Sequence, residues 1–518
     1  MTRIKLKLSA LTFAALLLVI TLMLVIPLPE VPDDSVAGDF IIKNVNIVDV
    51  EAGEILARQD VTIRAGRVSQ IEEASEAAPP PSFNIIDGRG KYIMPGLWDM
   101  HTHSYKISPQ FHHPLFIANG VTGVRDMSGC MSEPDNFWAC IDDREKWNRN
   151  TAKDRGIAPR YILQSSYQIN GGSEVPAGFP DFFRANDTGG NGRLADFYAA
   201  SGADFLKTYS DLSSAAYGNL AREAQARGLA IAGHLPWRVS LPEAIAAKQQ
   251  SIEHPRLFLL ECFKGAEKFR GLPDPSAAYN TQFRRQLVDD HDADRCASLM
   301  QDMADSTTYW SPTLQVLQMS ARAHDRSFRE DPRLKYIPFI LNEGMWKGDA
   351  NKSAERSIDG NGRNIDAEMY QLAKNNLMQA HESGVKLLAG TDAGDTYVFP
   401  GFSIHREIEE YVAAGISPQD TLKIATIEAA RFSKLDGDYG SIEAGKVADI
   451  LLLRANPYTD IRNTQKIEGL FLGGRYFDRS ALDNILDFAE RQAGSIRLNL
   501  RYLWDALSSP LMRVQLVD

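Results

Sequence analysis

Six residues of this chain could do chemistry if a scaffold brought them together: His101, His103, Lys207, His234, His254 and Asp392. The first two form a His-x-His at the end of Pro95-Gly96-Leu97-Trp98-Asp99-Met100-His101-Thr102-His103. Residues i and i+2 of a strand share a face, so the two imidazoles project side by side, as two ligands of one metal ion must. Asp99 falls on that face too, one step deeper. Taken alone, the pair reads equally well as two structural histidines near a polar strand edge. Matching donors elsewhere decide between these readings. They occur in short motifs: Ala203-Asp204-Phe205-Leu206-Lys207-Thr208-Tyr209, Gly233-His234-Leu235-Pro236, Ser251-Ile252-Glu253-His254-Pro255 and Gly390-Thr391-Asp392-Ala393-Gly394. Packing alone does not call for ionisable groups at so many strand ends.

The elements that must position these groups alternate. Apolar, β-branched runs at 92–103, 121–127, 160–169, 203–209, 229–235, 251–254, 308–314 and 385–389 read as strands. Helical patterns lie between them; those at 215–227 and 369–382 end at Gly228 and Gly384, as helix C-caps do. Such α/β alternation predicts a (β/α)8 TIM-type barrel, whose functional groups collect at the C-terminal ends of the strands. A doubly wound open sheet would alternate in the same way. A separate small β-sandwich domain is expected from both chain ends: strands at 40–49, 60–64 and 67–71 before the barrel, and at 447–453 and 469–477 after a helix at 418–432. The expected division is 1–28 signal or anchor, 29–37 linker, 38–91 and 436–478 small β domain, 92–435 barrel, and 479–518 amphipathic tail. In the tail, Leu482, Ile485, Ala489, Ile496, Leu500, Leu503 and Leu507 fit one helical stripe interrupted at Gly494. That stripe suits packing onto the barrel or lying on a membrane surface.

The chain has 518 residues, 44% hydrophobic and 24% charged, with a net charge of −11. It carries no basic stripe beyond the extreme N-terminus, which excludes nucleic acid as an expected partner. Arg3, Lys5 and Lys7 precede an apolar run of roughly 20 residues, long enough to span a bilayer. The expectation is a protein exported to the periplasm. It is either anchored in the inner membrane by an uncleaved transmembrane helix or released after signal cleavage. Export lets the four cysteines pair. Cys130 with Cys140 is favoured by closeness, and Cys262 with Cys296 is what remains; four free thiols are the alternative. Oligomeric state is left open, a homo-oligomer included.

The set MPGLWDMHTH, GHLP, SIEHP and GTDAG, in this order, resembles the metal-site motifs of the amidohydrolase superfamily. ADFLKTY is similar to the strand that carries a carboxylated lysine in two-metal members. GVTGVRDMSG and YWSPTL are similar to the imidazolonepropionase and Xaa-Pro dipeptidase-like branch. The resemblance covers about residues 38–478. It implies that His101, His103 and Asp392 bind one divalent metal, with zinc the first expectation, and that His234 and His254 bind a second. Lys207, modified by CO2 to N6-carboxylysine, would bridge the two. It further implies that a metal-activated hydroxide cleaves an amide bond in a short peptide or N-acyl amino acid, with Asp392 as the catalytic proton shuttle. Lactone, cyclic-amide or phosphotriester hydrolysis suits the same site, and a silent binding scaffold is the rival from another class. GHLP and the Ser104-Tyr105 that follows His103 depart from the usual dipeptidase pattern, which leaves the substrate open. Tyr167, Tyr209, Trp237 and Arg256, just past strand ends, are the expected substrate contacts; Arg256 suits a carboxylate. His405 is a further candidate to line the site, whereas His112 and His113 are expected outside it.

Overall fold

A computed structural model describes residues 13–15, 18–131, 135–189 and 191–515. Phe40–Asp49, rich in Ile and Val, pairs antiparallel with Glu54–Arg64, which pairs in turn with Arg67–Glu73. Tyr92–Pro95 lies between Phe40–Asp49 and Ile450–Leu453 and pairs with both, so it stitches the two chain ends together. Ile467–Leu472, Arg475–Asp478 and Asn84–Asp87, the last paired with Phe40–Asp49 off the main path, complete a single eight-stranded sheet. The expected sandwich is thus one continuous sheet. It curls, through a bridge from Arg67 to Val447, around a core that includes Phe40, Ile42, Ile47, Val61, Ile63, Ile450 and Phe471. The boundary moves as well. Residues 92–95, expected in the first barrel strand, belong to this sheet, and the chain crosses over at Gly96. A Cβ there would lie 2.2 Å from Thr122 Oγ1, so only glycine allows the crossing.

Beyond Gly96 the strands are parallel and mostly buried on both faces, which is why they read as apolar runs rather than alternations. Leu97–Thr102, Val121–Asp126 and Arg160–Tyr161 form one parallel sheet. Phe205–Thr208, Ala230–Gly233, Ser251–Glu253, Tyr309–Ser311 and Lys386–Leu387 form another. Parallel bridges join the two sheets at both pairs of edges: Ser165 to Phe205 and Ile169 to Thr208 on one side, Thr102 to Ala393 on the other. The expected strand at 160–169 forms a regular ladder over only two residues. Helices connect the strands. Ser214–Gln225 is capped by Ser213, whose side chain accepts from the Ala216 amide, and is followed by Gly228 at φ +74°. Ile365–Glu382 is capped by Asn364 and followed by Gly384 at φ +85°.

The signal or anchor expectation falls partly on residues 1–12 and 16–17, outside those described. Residues 18–25 are helical, but no helix among the described residues is long and apolar enough to cross a membrane. The expected transmembrane helix therefore has no support there. The tail forms helices Arg479–Ala493, Ile496–Ser508 and Pro510–Gln515. Leu482, Ile485 and Ala489 are buried as expected, but past Gly494 the inward face is Leu498, Asn499, Tyr502, Asp505 and Ala506. Ile496, Leu503 and Leu507 are exposed. The break at Gly494 restarts the helix in a new phase, so one stripe cannot run through it.

Candidate metal centre

The four histidines are held alike. His101 Nδ1 is 2.9 Å from Glu253 Oε2, His103 Nδ1 is hydrogen-bonded to the Ser128 hydroxyl, His234 Nδ1 is 2.9 Å from Ser210 Oγ, and His254 Nδ1 is 2.8 Å from Thr313 Oγ1. Anchoring Nδ1 sets each ring's orientation and frees Nε2 as a ligand atom. The freed atoms converge with Asp392. His103 Nε2 lies 2.6 Å and His101 Nε2 3.3 Å from Asp392 Oδ1, and the His234 and His254 Nε2 atoms are 3.0 Å apart. Ring centroids make a row, His103 to His101 at 5.4 Å, His101 to His254 at 4.9 Å, and His254 to His234 at 4.6 Å.

Two backbone kinks make this possible. His254 sits at φ +76° and Asp392 at φ +68°, a region that costs a non-glycine residue energy. Along an ideal strand Glu253 and His254 would face opposite ways. The kink turns both inward, and it is held by the His254 amide donating to Ser311 O at 2.8 Å and by Trp310 Nε1 donating to His254 O at 3.0 Å.

Burial pushes His103 and His234 below the usual imidazole range and His254 to about 3, so these rings are neutral, the form that binds metal. Burial alone would raise the Asp392 carboxyl, but His101 and His103 beside it hold it well below its ordinary value. Lys207 is buried, its pKa lowered by burial to about 8, and its ammonium lies 5.5 Å from the Tyr209 ring. It forms no ion pair with a carboxylate among the described residues.

A divalent metal fits this set. Although crowded together, His101 Nε2 and Asp392 Oδ1 are buried and make no hydrogen bond of regular geometry among the described residues, and ligand atoms of His101, His254 and Asp392 lie within 4.8 Å of one another. Unsatisfied buried donors and acceptors are costly unless something binds them. A closer packing of neutral Nε2 atoms and a carboxylate is what a cation would relieve.

Sequence reasoning left out the support beneath the ligands. Arg125, fully buried, donates from its Nη2 to Glu253 Oε1 at 2.8 Å, from Nη1 to Ser251 Oγ at 2.7 Å and from Nε to Met100 O at 2.7 Å. Burial opposes ionisation of Glu253, yet Arg125 and His101 hold it at about 2. Both residues sit inside motifs already singled out, but nothing in their spacing marks them as partners. Asp99 is a support, as its depth suggested: it accepts from Thr391 Oγ1 at 2.6 Å and the Thr391 amide at 3.0 Å, which fixes the start of the Asp392 turn.

A cavity of about 1200 Å³ opens over the ligands. Tyr167, Tyr209, Trp237 and Arg256 all line it. Tyr209 stacks on His234 at 4.0 Å. Arg256 lies 3.8 Å over Trp237 and donates to Ser210 Oγ at 3.2 Å and Leu235 O at 3.1 Å, without a carboxylate partner among the described residues. His405 does not line it. Its ring is buried between Asn119 O and Thr464 Oγ1, at 2.9 Å from each, because its helix starts behind the strand ends. His112 and His113 are buried in a neighbouring helix, His113 Nε2 being 2.9 Å from Tyr161 OH. Cys130 is bonded to Cys140 and Cys262 to Cys296.

Residues 371–476 match the amidohydrolase family. The chain is 34% identical over 87 residues to adenine deaminase of Ruegeria sp. (strain TM1040), 16% of this chain and 14% of that protein. It is 35% identical over 112 residues to dihydroorotase of Carboxydothermus hydrogenoformans, 20% of this chain and 25% of that protein. The matches thus span a quarter or less of those two relatives. Among solved structures, bottromycin amidohydrolase aligns with a TM-score of 0.66 at 22% identity, over 88% of this chain and 91% of the other. A Xaa-Pro dipeptidase with bound methionine aligns with a TM-score of 0.59 at 19% identity, over 85% and 100%. The family likeness thus lies in residues 371–476, while bottromycin amidohydrolase shares the fold over most of the chain. The structures that share its fold include Xaa-Pro dipeptidase-like proteins.

Proposed function

We propose that this chain is an exported two-metal hydrolase that cleaves the amide bond of a dipeptide or N-acyl amino acid, built on a (β/α)8 barrel. The carrying observation is the convergence of four imidazoles, His101 buried and the other three half-buried at the cavity floor, each anchored at Nδ1, with Asp392 and Lys207 at the ends of parallel strands. Bridges at both pairs of sheet edges support the closed barrel. His101, His103 and Asp392 would hold one divalent ion and His234 and His254 the other, with carboxylated Lys207 between them; zinc suits these ligands. Bound ions would supply Lewis acidity to the carbonyl oxygen and lower the pKa of water. Asp392 takes a proton from water on its carboxylate and passes it to the leaving nitrogen. Arg256, a half-buried guanidinium without a carboxylate of its own among the described residues, receives the carboxylate of the leaving amino acid as a two-pronged fork. Lys207 lacks the ion pair that a merely structural lysine would keep, which favours its reaction with CO2, a proton being released as the carbamate forms.

The test is elemental analysis of the purified protein, followed by turnover of a dipeptide and N-acyl amino acid panel. The expected result is close to two divalent ions per chain, with Lys207→Ala losing bound metal and activity together. A metal-free wild-type protein, or an unchanged Lys207→Ala variant, overturns the proposal. The local likeness to a dihydroorotase favours a cyclic-amide substrate as the second reading, so cyclic amides join the panel. Basic residues before the N-terminal apolar run and two disulfides, which persist in oxidising compartments, support export. N-terminal sequencing of protein from membrane and periplasmic fractions separates an anchor from a cleaved signal.

A further inference from the structure

The cavity has two chemically different ends. Arg256 lies at the His234 end of the imidazole row, since it shares Ser210 with His234. At the other end Trp138 faces His103, with ring centroids 6.5 Å apart. Trp138 belongs to a cluster of buried aromatic rings. Tyr105 lies 5.4 Å from Trp138 and 4.7 Å from Phe137, Tyr167 lies 6.5 Å from Trp138, and Tyr502 lies 5.3 Å from Phe137. All five line the cavity, together with Met512. Tyr502 and Met512 come from the C-terminal tail, beyond residues 371–476 that match the family.

The tail is fastened here by design of its contacts. Gln515 Nε2 donates to Tyr167 OH at 2.9 Å. Asp135, buried, takes the Phe137 and Trp138 amides on one oxygen at 2.8 and 2.9 Å, and the Ser509 hydroxyl on the other at 2.9 Å. One carboxylate therefore holds both the aromatic loop and the tail. The Cys130–Cys140 disulfide closes the base of that loop.

We propose that the tail helices complete the active site as an aromatic subsite for a bulky apolar acyl group, at the opposite end of the cavity from Arg256. The substrate is then an N-acyl amino acid or dipeptide whose acyl side is aromatic or long-chain aliphatic. This rests on the hydrolase reading for the word acyl, but the subsite can be tested without turnover. Aromatic walls favour apolar groups through buried area and ring geometry, and every ring here is fixed by packing before a ligand arrives.

The probe is 4-phenylbutan-1-ol, which is neutral and cannot be hydrolysed, bound to the full chain and followed by calorimetry. The expected result is saturable binding that weakens about tenfold in Tyr502→Ala and is unchanged in Arg256→Gln. Met512→Trp, which fills the subsite rather than emptying it, should weaken binding by a similar factor, with its fold checked by melting. No saturable binding to the wild-type protein, or wild-type affinity retained in both Tyr502→Ala and Met512→Trp, overturns the subsite. On the amide panel, Tyr502→Ala should raise KM for phenylbutanoyl substrates about tenfold while leaving acetyl substrates nearly unchanged. Probe binding without turnover of any amide would defeat the hydrolase reading and leave the subsite standing; turnover with no preference for apolar acyl groups would do the reverse.

Discussion

At the scale of single residues, the side chains that converge were legible and most of what supports them was not. Strand alternation is enough to pair His101 with His103. It misleads at Ser251-Ile252-Glu253-His254, where two neighbouring side chains both point inward because His254 adopts φ +76°. No pattern of residue types announces a left-handed turn at a histidine, and so Glu253 and its partner Arg125 stayed hidden. Their role makes a prediction. Glu253→Gln leaves the guanidinium of Arg125 buried without its counter-charge and loosens His101. Unfolding in urea should show a loss of about 3 kcal/mol or more. Competition with a chelator should show metal affinity reduced about 10- to 100-fold. A variant as stable as the wild type would mean that Arg125 is satisfied by Met100 and Ser251 alone.

Among the elements, helix ends were the most legible features, since Gly228 and Gly384 stand where the chain must turn left-handed. Strand lengths and the tail's phase were not. The strand at 160–169 shrinks to a short ladder because its second half meets the neighbouring strand only at isolated bridges, Ser165 to Phe205 and Ile169 to Thr208, with side chains interposed; the Gln164 amide, for example, donates to Asp204 Oδ2 at 2.6 Å. In the tail, the apolar spacing in the sequence runs on past Gly494, but a helix restarted after a break owes nothing to the phase before it. Paired substitutions test the new phase. Leu498 is fully buried, so Leu498→Ala should cost about 2–5 kcal/mol, whereas Leu503, 39% exposed, should lose within about 0.5 kcal/mol on the same change. Equal losses would return the tail to a single stripe. The disulfides belong to this scale as well. Cys262 and Cys296 are 34 positions apart, and opening a loop of that size frees chain entropy in the unfolded state worth about 4 kcal/mol. Replacing both with serine should lower the urea midpoint accordingly without changing metal content, because neither sulfur reaches the cavity.

For the whole molecule, the sequence foretold a small β unit drawn from both chain ends, but not how firmly it is joined to the parallel strands. His405 is one of the joints. It lies in Phe402–Ala414 and bonds to Asn119 O, just before the strand Val121–Asp126, and to Thr464, just before Ile467–Leu472 of the eight-stranded sheet. A histidine this far from the ligands should report on assembly of the fold rather than on metal. Burial lowers its pKa to about 4, against about 6.5 in an unfolded chain. Between those values the unfolded chain binds the proton and the folded one does not, so stability is fully present above pH 6.5 and falls as the pH drops toward 4. From pH 7 to pH 5 this one group should remove about 2 kcal/mol. Buried His112, held at about 3, pulls in the same direction, so the informative quantity is a difference between proteins. His405→Gln keeps a polar side chain between Asn119 and Thr464 but cannot take up the proton. Its unfolding free energy in urea should therefore fall about 2 kcal/mol less than that of the wild type between pH 7 and pH 5. Parallel curves for the two proteins would show that the ring can be protonated in place, and that the joint at His405 opens without unfolding the rest.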